Sequence, residues 1–218
     1  MKTLVYFLFS LATISYEASA KKFGISSGLN YNTFFIISDG DDYSYGEFGG
    51  RAGFNFSIFT EKSDRNKHDS NFILRYENYG GEFRTGGGSL GGSYSTSGTV
   101  NKSVLTLGIY FLNIGKKKTE FSLGFGLGLL LHNNTEAHHF QFRYNLNGAS
   151  MKDVNGSDLN NKGYGGILLQ LDHEIALKNN LFLIPKINLF CGITGELTNG
   201  SGMLSFRQAL EVGIAKSF

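Results

Sequence analysis

Tryptophan is missing from the 218 residues, and cysteine and proline occur once each. A single cysteine forbids an internal disulfide, so no cysteine framework sets the fold. A single proline means that hardly any segment is barred from a hydrogen-bonded ladder by a missing N–H. Charged residues make up only 17%, below the roughly 25% of an average soluble domain. The formal net charge of +2 leaves no basic surplus, and nucleic acid is not an expected partner. Long apolar runs are scarce too. The most apolar stretch beyond the first twenty residues, Phe121 to Leu131, covers 11 residues with three glycines among them, too short for a spanning helix.

What is abundant is glycine, at 30, and phenylalanine and tyrosine, at 20 and 11. The glycines have no three-residue period, which excludes collagen. So many aromatic residues exclude ordinary disorder.

The first twenty residues form a unit of their own. Lys2 gives a positive start, Leu4 to Ala12 an apolar core, and Ala18-Ser19-Ala20 an A-x-A site before Lys21-Lys22. This is the pattern of a secretory signal peptide over residues 1–20, leaving 21–218 as one domain. Thr3 to Tyr16 is 14 uncharged residues, short of the roughly 20 that an anchoring helix needs. No cysteine follows the apolar core, so a lipoprotein is not expected.

The rest of the chain alternates with period two. Phe121, Leu123, Phe125, Leu127 and Leu129 alternate with Ser122, Gly124, Gly126 and Gly128. That is a strand with one greasy face and one nearly bare face. Seven more segments behave alike: Phe23 to Phe35, Phe48 to Ile58, Phe72 to Tyr76, Leu105 to Phe111, Ile167 to Ile175, Leu183 to Ile193 and Leu210 to Phe218. Between them long and short connections take turns. The long ones are Ile36 to Glu47, Gly80 to Asn101 and His132 to Lys162, and Gly195 to Gly202 closes the series. The short ones are Thr60 to Asp69, Asn113 to Thr119 and Leu177 to Asn180. Eight strands with short turns at one end and longer loops at the other predict a closed, antiparallel, up-and-down transmembrane β-barrel. Phe140, Phe142, Tyr144 and Leu146 alternate as well. They read as a hairpin arm above the membrane, with a ten-stranded barrel as the alternative.

A soluble barrel would show the same period, and the less apolar face separates the two cases. That face carries Gly, Ser, Asn and Ala with a few charges, which suits a crowded lumen rather than a solvated surface. Phe, Leu and Ile on the other face then form the lipid band.

Taken together, the signal peptide, the eight alternating strands and the final strand ending in Phe218 resemble the small outer-membrane β-barrel proteins of Gram-negative bacteria. The pattern around Gly49-Gly50-Arg51-Ala52-Gly53-Phe54 and the final Glu211-Val212-Gly213-Ile214-Ala215-Lys216-Ser217-Phe218 resembles the outer membrane β-barrel domain group that includes PorT-like proteins, common in Bacteroidetes. The resemblance implies residence in the outer membrane and a terminal signal, centred on Phe218, read by the barrel-assembly machinery. Lys216 departs from the usual apolar residue at its position.

On the strand phases above, Arg51, Arg75, Lys186 and Arg207 face the lumen with Glu77, Asp172, Glu174 and Glu211. Four charges of each sign, enclosed by a barrel whose interior just holds its own side chains, predict a salt-bridged plug and no open pore. The alternative is a narrow polar conduit. His132, His138 and His139 with Glu136 lack a complete metal-ligand spacing. Asp39-Gly40-Asp41-Asp42 fails the calcium-loop pattern, and Gly86 to Gly92 is not a phosphate loop and reads as flexible chain. His132 has no identifiable nucleophile or carboxylate beside it, so no catalytic residue, cofactor or metal is assigned. Cys191 falls on the lipid-facing phase. The functional expectation is therefore a monomeric, non-enzymatic outer-membrane barrel with a structural or binding role. Its partners are outer-membrane lipid and, during biogenesis, the assembly machinery. A small-solute channel or a secretion-associated barrel is the alternative.

Overall fold

A computed structural model describes residues 21–37, 43–62, 71–89, 92–116, 118–143, 148–155, 163–193, 197–199 and 201–218. The expected signal peptide, the acidic run from Asp39 to Asp42 and residues 144–147 of the possible ninth strand lie outside them.

Eleven strands account for nearly all of it: β1 (Lys21–Ile37), β2 (Tyr43–Lys62), β3 (Asn71–Ser89), β4 (Gly92–Lys116), β5 (Thr119–Arg143), β6 (Gly148–Asn155), β7 (Gly163–His173), β8 (Ile175–Ala176), β9 (Leu181–Gly192), β10 (Leu197–Asn199) and β11 (Ser201–Ser217). Eight of them close a ring in the order β1-β2-β3-β4-β5-β7-β9-β11, every contact antiparallel. The closing ladder between β1 and β11 runs from Lys22↔Ser217 to Ile37↔Gly202. The barrel therefore has eight strands. The stretch up to Arg143 belongs to β5, whose upper part pairs with β6 as a hairpin arm beside the ring.

Alternation turns each strand's two residue sets to opposite sides of the wall. On β1, Lys22, Gly24, Ser26, Asn30 and Asn32 are buried, whereas Phe23, Ile25, Leu29 and Tyr31 are exposed. The large apolar side chains lie outermost: Leu29 is 69% exposed, Leu210 65% and Leu127 58%. From Phe23 to Tyr31 this outward stripe runs about 27 Å along the strand, which at the roughly 35–45° tilt of transmembrane barrel strands rises about 20 Å within a lipid band about 25 Å tall.

Two local features shape the ring. At the tight turn before β9, Asn179 and Asn180 adopt positive φ (60° and 59°), a conformation that asparagine tolerates and that two-residue hairpins require. Pro185 pairs with Val212 on β11, but on its other side it meets the break between β7 and β8, where no ladder partner stands. Its missing N–H is harmless there.

The wall is uneven. β3, β4 and β5 are 19, 25 and 25 residues long, whereas β7 and β9 have 11 and 12. The stretch Gly80 to Asn101, expected as a long connection with flexible chain at Gly86 to Gly92, is instead two paired arms of β3 and β4 that meet at Ser89↔Gly92. Their inner side holds Phe83 and Val100 in the buried cluster. Burial of those side chains and the ladder itself outweigh the low strand propensity of the glycines and serines.

Candidate functional site

The lumen is the one region of the described residues where chemistry-bearing side chains converge. Inward residues of all eight ring strands meet there in three tiers. Nearest the short turns, the Lys186 ammonium donates to Glu61 Oε1 at 2.8 Å and sits 3.1 Å above the Phe59 ring centroid. Lys22 pairs with Glu174 and packs 4.4 Å from the Phe182 ring. Asp172 stands in register with Lys186 on one side and Glu120 on the other, and accepts a 2.9 Å hydrogen bond from Gln170.

In the middle tier Arg75 Nη2 lies 3.0 Å from Glu211 Oε1. The other oxygen of Glu211 accepts from Ser26 at 2.7 Å and Ser57 at 3.3 Å, and Arg75 Nε donates to Ser57. Above it Arg207 Nη1 lies 3.1 Å from Glu77 and donates to the Tyr164 hydroxyl at 2.7 Å. The Arg207 guanidinium is 4.0 Å from the Phe190 ring centroid, 4.9 Å from Tyr164 and 5.3 Å from Tyr79. Three aromatic rings and one carboxylate thus surround the desolvated guanidinium, and both kinds of neighbour favour its charge. Arg75 and Arg207 are 2% and 1% exposed. An isolated ion at such sites would cost several kcal/mol, and pairing with added hydrogen bonds offsets that cost. In register with Arg207 and Glu77 respectively, the buried amides of Asn32 and Asn55 meet no hydrogen-bonding partner among the described residues.

Glycine makes room for this filling. A Cβ on Gly128 would run into the Tyr164 ring, and one on Gly24 into Phe59. The bare face read from the sequence is thus the floor on which large inward side chains from other strands lie.

Of the eight lumen charges named from the sequence, Arg75, Glu77, Asp172, Lys186, Arg207 and Glu211 are buried in the barrel, and Glu174 lies half-buried at its short-turn mouth. Arg51 is a correction: it is exposed on the outside. Between Arg51↔Gly80 and Phe54↔Asn78, β2 has two residues opposite one of β3, and such a bulge inverts the alternation beyond it. Four further buried charges, Lys22, Glu61, Lys102 and Glu120, escaped the reading. Each lies in phase with the inward positions of its own strand, so carrying the phase one or two steps further along the sequence finds them. His132, Glu136 and His138 are exposed along the upper part of β5, because a second bulge opposite Ser103 and Val104 turns them out of the lumen.

No family model matches the chain, and no curated protein matches it. Among solved structures, the fold is similar to Neisserial surface protein A, with 12% identity over 92% of this chain and 100% of that one (TM-score 0.41). It is also similar to Ail, the attachment invasion locus protein of Yersinia pestis, solved in complex with the heparin analogue sucrose octasulfate. Identity there is 10% over 91% and 99% of the chains, with TM-score 0.36. A third likeness is outer membrane protein AlkL, solved in DMPC lipid bilayers, with 11% identity over 93% of each chain and TM-score 0.36. Identity this low transfers no residue role from any of them.

Proposed function

We propose that the protein is an integral outer-membrane β-barrel, plugged by its own paired charges, that acts as a structural or binding element rather than as an enzyme or an open channel. One observation carries this reading: the barrel is inside-out. Leu29, Leu127 and Leu210 project into the surroundings, and Arg75, Glu77, Arg207 and Glu211 are sealed within. Water would reverse that arrangement, and a bilayer favours it. The closed ring also leaves no unpaired edge in the spanning part, the condition a sheet must meet in lipid. The tall wall of β3, β4 and β5 carries Glu82, Arg84, Thr99 and Glu136 exposed beyond the band, a polar surface suited to soluble or cell-surface partners.

The test is reconstitution. Protein refolded into lipid vesicles should migrate differently on a gel before and after boiling, because a closed barrel resists detergent until heated. The same protein in a planar bilayer should carry no current steps. Identical mobility before and after boiling would rule out the barrel, whereas steady conductance would keep the barrel and replace the plug by a conduit.

The role of Phe218 as an assembly signal belongs to this proposal. The residue is an exposed aromatic beside the last ladder pair, where a ring can sit at the lipid–water interface. Deleting Phe218 should lower outer-membrane abundance in cell fractions far more than it lowers the stability of refolded protein. Unchanged abundance would leave it an interface anchor alone.

A further inference from the structure

The two ends of the barrel sort their charges differently. Near the short turns the described carboxylates, Glu61, Glu120, Asp172 and Glu174, all turn into the lumen. Among the described residues, the charged side chains exposed at that end are Lys118, Lys178 and Lys216. At the opposite end both signs are exposed, with Arg51 and Arg84 beside Glu82 and Glu136. A surface kept basic only for solubility would not bury all the described acids beside it.

The lysines also have a common setting. Lys118 joins β4 to β5, Lys178 lies in the turn into β9, and Lys216 is on β11, so they span the arc from β4 to β11. Each is within four residues of outward apolar groups: Phe121 and Ile114 for Lys118, Leu177 and Ile175 for Lys178, Ile214 and Phe218 for Lys216. This places three ammonium groups just below the apolar band along the arc from β4 to β11. Because each borders outward apolar residues that the membrane reading sets in lipid, its charge stands at the level of the headgroups. Lysine at that depth keeps its stem on the apolar surface and its charge among headgroups.

We propose that these lysines bind anionic phospholipid headgroups of the leaflet at the short-turn end, and so favour such lipids along that arc of the barrel. The inference rests on the membrane reading above. It is tested by electron spin resonance on the full chain reconstituted in phosphatidylcholine vesicles. Spin-labelled phosphatidylglycerol is compared with spin-labelled phosphatidylcholine in the protein-contacting shell. Wild type should favour the anionic label by roughly fivefold at low salt, and the preference should fade at 1 M salt. The triple variant Lys118→Gln, Lys178→Gln, Lys216→Gln should show almost none, and Glu82→Gln with Glu136→Gln at the far end should keep it.

An inserted wild-type protein with equal association of both labels would overturn the inference, as would a triple variant with undiminished preference. Either result would assign the lysines to a soluble anionic partner or to solvation. A spectrum with no protein-contacting lipid at all is a different failure, since it would mean that the chain had not inserted and that the membrane reading itself was wrong.

Discussion

The two faces of the same strands obey different rules. On β11, Leu210, Val212 and Ile214 point outward and touch whatever surrounds the barrel. Arg207 and Glu211, on the other face, each answer to named atoms on other strands. Lipid asks only for apolar surface, so outward residues are interchangeable among Leu, Ile, Val and Phe. The lumen asks for a partner of opposite charge at one height, so inward residues are fixed in pairs. A transmembrane barrel is thus tolerant on the face that a soluble protein makes specific.

The contrast can be broken most sharply at the middle tier. Glu211→Ala leaves Arg75 enclosed without its carboxylate and should cost about 3–5 kcal/mol, measured by urea unfolding in lipid vesicles. Replacing Arg75 and Glu211 together by leucine should recover much of that loss, because no lone charge then remains. If the double variant is as unstable as the single one, pairing is not what governs the lumen. Next in size, Leu127→Arg on the outer face should cost roughly 2–4 kcal/mol if it lies near the bilayer midplane. Full stability in vesicles would show that this face does not meet lipid. The smallest effect is expected at Arg51, exposed beyond the bulge. Arg51→Gln should shift stability by no more than about 0.5 kcal/mol, and a loss comparable to that of Glu211→Ala would place Arg51 back among the paired charges.

Much of the fold was legible because a spanning strand must alternate. Leu105 to Phe111 and Phe121 to Leu129 took the phases that their residues implied. Height, stagger and bulges left no such trace. The Arg207 surroundings draw Tyr79 from β3, Tyr164 from β7 and Phe190 from β9, and which residues share a level depends on the slant of strands around the ring, which no single strand encodes. Arg51 was misplaced for a related reason. The Ala52-Gly53 insertion is as bland as the pattern around it, so nothing announces that the faces exchange there. The arms of β3 and β4 were missed because glycine and serine show no contrast between faces, and what orders them is the ladder with their neighbours.

The lumen pairs have a consequence in time as well as in space. Lys22 meets Glu174 across 152 residues of sequence, and Ser26 meets Glu211 across 185. β1, the first of the strands to be made, finds one of its two ladders only in β11, the last. Contacts so distant along the chain are slow to form, because loop closure must be achieved before they stabilise anything. Until β11 arrives, Phe23, Ile25 and Leu29 belong to a strand with an open edge, the kind of surface that aggregates. The barrel is therefore a structure that exists all at once or not at all. Until its two ends meet, the unfinished chain keeps that edge open.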